Sequence, residues 1–157
     1  MGLKINIPGW KSLILEHLVL DFNGTVAFDG NIKPGVMELL RTLSQRMTVH
    51  VVTADTFGSA RAALEGTGVR FFIPVSEDVA RQKAEYVEKL GRYKCVCIGN
   101  GRNDRLMLKS AALGIAVVQE EGAAVEAIIS ADVVTNSIVS ALELLLNPSR
   151  LVATLRG

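Results

Sequence analysis

Residues 17–25 read HLVLDFNGT, and this stretch decides the fold. Residues 17–22 are a short apolar run that closes on an acid, with Gly24 just beyond. Such a run, bounded by turn residues, is the pattern of a strand buried on both faces. Downstream the pattern alternates. Pro34 marks the first turn of a helix that carries Val36, Leu39, Leu40 and Leu43 at helical spacing. Residues 47–53 (MTVHVVT) are β-branched and strand-like. A short helix over 59–65 closes at Gly66 and Gly68, a strand covers 69–73, and a helix over 79–90 stops at Gly91. A strand over 94–98 leads through a Gly-rich turn into a helix from about residue 104 to 112. Residues 115–118 form a fifth strand, 123–129 a helix, 132–135 a sixth strand and 138–146 a helix. Pro148 sets apart a last short helix over 151–155. Strands alternating with helices predict an α/β domain: a mostly parallel sheet with helices on both faces, in three layers. Two stretches fall outside the alternation. Residues 26–33 (VAFDGNIK) read as a small hairpin flap turning at Asp29-Gly30, just above the end of the first strand. Residues 4–15 read as a second hairpin turning at Pro8-Gly9.

The 157 residues are 49% apolar, enough for one domain over 1–157 with its own core and no separate cap domain. The formal charge is +1, and aromatics are limited to five Phe, two Tyr and one Trp. Without a basic stripe or stacking platforms, no nucleic-acid partner is expected. No apolar run reaches the roughly 18 residues of a spanning helix, and the first ten residues lack a signal pattern. The expectation is a cytoplasmic protein with no membrane partner. Cys95 and Cys97 alternate on one strand and so share a face, as buried thiols. With only His17 and His50 besides, a thiolate metal site lacks ligands. Both histidines are expected to be structural.

In a parallel sheet, ligands bind at the carboxyl ends of the strands. Asp21 ends the first strand. Thr53 ends the second and is followed by Ala54-Asp55. Gly99-Asn100-Gly101 ends the fourth, followed by Asn103-Asp104. Lys83 lies near the start of the helix after the third. Taken singly, these are a turn exit, a helix cap, a solvated lysine and a tight turn. Together, at one sheet edge, they make an oxygen nucleophile, a divalent-cation site and donors for phosphoryl oxygens. A receiver domain would carry an acidic pair on the first strand and its phosphoacceptor at the end of the third, where Ile73-Pro74 stands. A nucleotide-binding βαβ unit would carry a Gly-rich fingerprint where this chain has Asn-Gly-Thr.

Asp21-Phe22-Asn23-Gly24-Thr25 resembles the first motif (D-x-D-G-T) of the haloacid dehalogenase (HAD) superfamily. Residues 51–55 (VVTAD) resemble its second motif in the form found in P-type ATPases. Lys83, with Val87 and Leu90, resembles the third, and Gly99-Asn100-Gly101-Arg102-Asn103-Asp104 resembles the fourth. The likeness is greatest to small soluble P-type-ATPase-like HAD phosphatases without a cap. It implies a Rossmann-like fold, a Mg²⁺ cofactor and phosphohydrolase activity through an aspartyl-phosphate. It makes Asp21 the nucleophile and, with the Asn23 carbonyl and Asn100, the metal site. It gives Thr53 and Lys83 the phosphoryl oxygens and makes Asp104 the support of Lys83 or of a metal-bound water. Amides near Gly24 and Thr25, with Ala54 and Asn103, would line the substrate.

Two departures qualify these roles. Most HAD phosphatases have an Asp two residues after the nucleophile, which protonates the leaving group. Asn23 cannot, and general acid–base help is typically worth about 10²–10⁴-fold. Turnover is therefore expected to be slow, with a detectable phosphoenzyme, unless Asp55 or Asp29 substitutes. Asn100 replaces a metal-binding Asp and removes a negative charge. The alternative is a degenerate HAD-like domain that senses phosphate or metal, or binds a protein. The substrate is expected to be a phosphorylated small molecule or macromolecule, with a homo-oligomer as one way to complete an uncapped site. Arg102 and Arg105 flank the fourth motif, where they either meet an anionic substrate or stay solvated. Residues 120–122 either shape the entrance or cap the next helix.

Overall fold

The computed structural model describes residues 1–54, 58–75 and 77–157. Six parallel strands form one sheet: β3 (His17–Asp21), β6 (Thr48–Val52), β7 (Arg70–Phe72), β8 (Cys95–Gly99), β9 (Leu113–Val117) and β10 (Val133–Thr135). Their spatial order is β10-β9-β8-β3-β6-β7, so the chain winds one way from β3 to β7 and the other way from β8 to β10. The reversal lies between β3 and β8, which makes the carboxyl end of β3 the topological switch point.

The sheet divides the core in two. On one face β3 presents Leu18 and Leu20 to α1 (Val36–Ser44), α2 (Ser59–Ala63) and α6 (Ile138–Leu146), through Leu40, Leu43, Leu142 and Leu145. On the other, Val19, Val52, Cys95 and Cys97 meet α3 (Val79–Leu90), α4 (Arg105–Ser110) and α5 (Val125–Ser130), through Val87, Met107, Leu108 and Ala127. The two thiols share that face, as strand alternation requires. Each fully buried Leu or Val stabilises the fold by roughly 1.5–3 kcal/mol, so β3, apolar on both faces, is the anchor of both layers.

Both expected hairpins form. β1 (Leu3–Asn6) pairs with β2 (Ser12–Leu15), and every second residue (Leu3, Ile5, Leu13, Leu15) enters the first core. α7 (Pro148–Leu155) packs beside β1, and the N–H of Gly157 donates to the carbonyl of Pro8 at 3.0 Å. The flap is β4 (Ala27–Phe28) against β5 (Asn31–Ile32), with Asp29 and Gly30 both at positive φ (50° and 80°), as a two-residue hairpin turn demands.

Two prolines act differently from the expectation. Pro34 does not open α1. The helix begins at Val36 after Gly35, whose φ of +85° turns the chain out of the flap. Pro148 does not sit before a separate helix but opens α7 at its first position, where no N–H is needed. Among the described residues no single helix is long and apolar enough to cross a membrane.

Candidate active site

The strand register sets the site. Asp21 is level with Val52 on β6, so Thr53 follows immediately beside it, and Asn100 follows the end of β8 on the other side. Asp21, Thr25, Thr53, Lys83, Asn100 and Asp104 are all buried polar residues, and Lys83 is only 1% exposed. The three ammonium protons of Lys83 are matched by three acceptors. Its Nζ donates to Asp21 Oδ1 at 3.0 Å, to Asp104 Oδ1 at 2.8 Å and to Asn103 Oδ1 at 3.0 Å.

Asp104 has a second duty. Its Oδ2 accepts from the N–H groups of Asn100 at 3.1 Å and Gly101 at 2.9 Å, which fixes the turn after β8. A Cβ at position 99 would stand 2.5 Å from that carboxylate, so only glycine leaves Asp104 its place. On the other side of Asp21, the Thr25 hydroxyl lies 3.3 Å from Asp21 Oδ2 and 3.2 Å from Asn100 Oδ1. One proton there serves two acceptors.

The charges are strongly coupled. Burial, and then the nearby Asp104 carboxylate, push the Asp21 carboxyl up to about 7, against the pull of Lys83. Burial works to lower Lys83, but Asp21 and Asp104 outweigh it and hold the ammonium above its ordinary value. The site is thus built around one cation shared between two carboxylates, which leaves one negative charge for a further positive partner.

The donors fit Mg²⁺. Asp21 Oδ2 and Asn100 Oδ1 flank the Thr25 hydroxyl, with the Asn23 backbone in the turn beside them. They are hard oxygen donors, suited to an ion that takes one or two carboxylates and keeps its waters. Among the described residues no group of three or more His, Cys, Asp or Glu gathers as a closed metal cage. Gly24, at φ +79°, completes the cradle. A Cβ there would stand 2.6 Å from Asn100 Nδ2 and 2.9 Å from Glu121 Oε1.

Several expected contacts differ. The Gly24 N–H donates to Ala27 O at 2.8 Å and the Thr25 N–H to Phe22 O at 3.2 Å. These two N–H groups are used inside the turn and are not the amides that line a substrate. Asn103 is exposed, and its Oδ1 also accepts from Lys83. Arg102 and Arg105 both pair with Glu126 at the surface, at 2.9 and 3.5 Å, in contacts of the weak, solvent-screened kind. Asp29 is exposed at the flap turn, and Asp55 lies outside the described residues. Ala54 is exposed, the last described residue before that gap.

Other residues support the site without any motif to announce them. Gln119 Nε2 donates to the carbonyls of Gly24 and Thr25, both at 3.0 Å, while its Oε1 accepts from the Ile138 N–H at 2.8 Å. It ties the turn after Asp21 to the start of α6. Lys33 pairs with Glu120, clasping the base of the flap to the turn after β9. The one signal in the sequence was position: residues 119–122 leave a strand at the site edge. His17 and His50 lie away from this edge. They form a partly buried chain in which His17 Nδ1 is 3.1 Å from His50 Nε2, and His50 Nδ1 is 2.7 Å from the Tyr86 hydroxyl.

No family model matches the sequence. The chain is 47% identical over 83 residues to an uncharacterized protein of Methanocaldococcus jannaschii, MJ0073, covering 52% of this chain and 89% of that protein. It is 31% identical over 136 residues to the copper-transporting ATPase ccc2 of Schizosaccharomyces pombe, covering 83% of this chain but 15% of the ATPase. Among solved structures it is similar to the 3-deoxy-D-manno-octulosonate 8-phosphate phosphatase of Moraxella catarrhalis, described in complex with magnesium ion, phosphate ion and KDO. The TM-score is 0.71 at 17% identity, covering 89% of this chain and 92% of that one. A HAD superfamily (subfamily III A) hydrolase of Legionella pneumophila aligns with TM-score 0.67 at 16% identity, covering 89% and 86%.

Proposed function

The chain has the capless fold of the HAD superfamily, and from that premise we propose that it is a Mg²⁺-dependent phosphohydrolase acting through an aspartyl-phosphate on Asp21. One observation carries the reading: a fully buried lysine joins the Asp at the switch point to a second buried Asp. A buried charge triad of this kind is costly to build for stability alone. Its place at the carboxyl end of the central strand fits a reacting centre.

In the first half-reaction a carboxylate oxygen of Asp21 attacks phosphorus. The bond from phosphorus to the leaving-group oxygen breaks, and the leaving group departs with the electron pair. In the second, water attacks the same phosphorus, releases inorganic phosphate and restores the carboxylate. Lys83 and the Thr53 hydroxyl face the phosphoryl oxygens, and Asp104 positions Lys83. Mg²⁺, held by Asp21, Asn100 and the Asn23 carbonyl, would supply further charge neutralisation at the phosphoryl group. Asn23 can neither protonate a leaving group nor activate water. Weakly basic leaving groups, as in acyl and aryl phosphates, therefore suit the site best, and hydrolysis of the phosphoenzyme is slow. The substrate class is a phosphorylated small molecule or macromolecule.

The test is a Mg²⁺-dependent assay on acetyl phosphate and p-nitrophenyl phosphate, with mass spectrometry for a covalent phosphoryl adduct. Wild type is expected to turn over slowly and to carry the adduct, and Asp21→Asn to do neither. Activity that survives in Asp21→Asn would sink the reading. The two Asp-to-Asn replacements, Asn23 and Asn100, favour a second one, a non-catalytic phosphate- or metal-sensing module. Wild type that binds phosphate yet forms no adduct would establish it.

A further inference from the structure

The turn after β9 brings an acid to the place where Asn100 lacks one. The Gly122 N–H donates to Gln119 O at 2.9 Å and closes this turn, which Gln119 fastens to the Gly24–Thr25 carbonyls. The two glutamates inside it diverge. Glu120 turns outward to Lys33. Glu121 turns inward over Gly24, and its Oε1 and Cδ lie 2.9 and 3.0 Å from where a Gly24 Cβ would stand. Asn100 Nδ2 lies 2.6 Å from the same point and donates to Gly122 O at 3.1 Å. The Glu121 carboxylate thus stands beside the Asn100 amide. Among the described residues it has no ion-pair partner.

We propose that Glu121 supplies the second negative charge of the Mg²⁺ site, replacing from a different strand the charge that Asn100 lacks. The proposal rests on the Mg²⁺ reading above. Lys83 cancels one of the two charges of Asp21 and Asp104, which leaves one net negative charge to meet a divalent cation. Hard cations favour carboxylate oxygens. A carboxylate just outside the direct ligands still matters, because loss of such a partner typically costs about 10–100-fold in metal affinity. Gly24 is part of the arrangement, since any side chain there would fill the gap between Glu121 and Asn100.

The experiment is Mg²⁺ titration calorimetry on metal-free protein: wild type, Glu121→Gln, Glu120→Gln and the Asn100→Asp/Glu121→Gln double variant. Glu121→Gln keeps the shape of an exposed side chain and removes only the charge. It is expected to raise Kd by about tenfold or more. Glu120→Gln, with the same charge change one residue away, is expected to leave Kd unchanged. Asn100→Asp is expected to restore the affinity lost in Glu121→Gln. An unchanged Kd in Glu121→Gln, or an equal loss in both glutamate variants, overturns the role of Glu121 and leaves the phosphohydrolase reading standing. Wild type without saturable Mg²⁺ binding overturns the metal reading and this proposal together.

Discussion

Lys83 is the residue on which the site's energetics turn. It is buried between two carboxylates, and its ammonium is the cation within 3.0 Å of each. Removing one member of a buried ion set leaves charge without compensation, which typically costs about 3–5 kcal/mol. Lys83→Ala is expected to lose stability on that scale in denaturant titration, and Lys83→Ala/Asp104→Asn to recover part of it. A single variant as stable as wild type would mean that water already compensates the two acids. The convergence of Asp21, Lys83 and Asp104 was legible because their spacing matches a motif. Gln119 was not legible. Its amide reaches Gly24 and Thr25, 95 and 94 positions away in sequence, and nothing local in residues 117–121 records where that turn lands. The amides of Gly24 and Thr25 misled for a related reason. Their place in the motif is plain, but their partners are fixed by how tightly the turn closes on Phe22 and Ala27.

At the scale of elements, the long periodic segments are the legible ones. Val79–Leu90 and Ile138–Leu146 form as expected, each with a side-chain N-cap, Asp78 and Ser137. The expectation slipped at the prolines, where the same residue fits equally well before a helix or at its first position. β6 carries its own pH response. Burial, then His17 and Arg70, push His50 down to about 4, so the ring is neutral in the fold. The unfolded chain takes up a proton near 6.5. The neutral ring's contribution is therefore fully present above that pH and is lost as pH falls toward 4. Asp21 works in the opposite sense, since its raised pKa means that the fold holds a proton the unfolded chain releases. The difference between wild type and His50→Gln isolates the first effect. Their thermal midpoints are expected to converge as pH is lowered from 7 to 4. A gap between them that stays constant over that range would show that His50 does not titrate between the two states.

Among the described residues the central sheet has two open edges, β10 and β7, and the flap stands beside the candidate site. Among the described residues the β10 side exposes Val134, with Ile129 76% and Val125 68% exposed on neighbouring α5. An apolar edge is a template for pairing with another chain unless a charge blunts it. Val134→Lys is expected to reduce concentration-dependent association in sedimentation velocity. Identical profiles for variant and wild type would remove β10 as a contact. The alternation of strands and helices around a parallel sheet could be read from the sequence. What covers the edges could not, because an exposed valine has the same local pattern whether it faces water or a partner.

The strand order has a further consequence, for how the chain is made. β3 lies between β6 and β8, and its pairing with β8 joins His17 to Cys95 and Leu20 to Ile98. During synthesis HLVLD emerges before either neighbour, apolar on both faces, and its second neighbour follows only after β6, β7 and α3 have been translated. The first wing (β3, β6 and β7) can assemble meanwhile, but one edge of the nucleophile strand stays open until β8 arrives. Contacts so distant in sequence form slowly, and an unpaired apolar strand is prone to aggregate while it waits. Asp21 and Lys83 therefore gain the support of Asp104 only once the turn after β8 has been made, and a chain stalled before β8 carries Asp21 without the turn that holds its lysine.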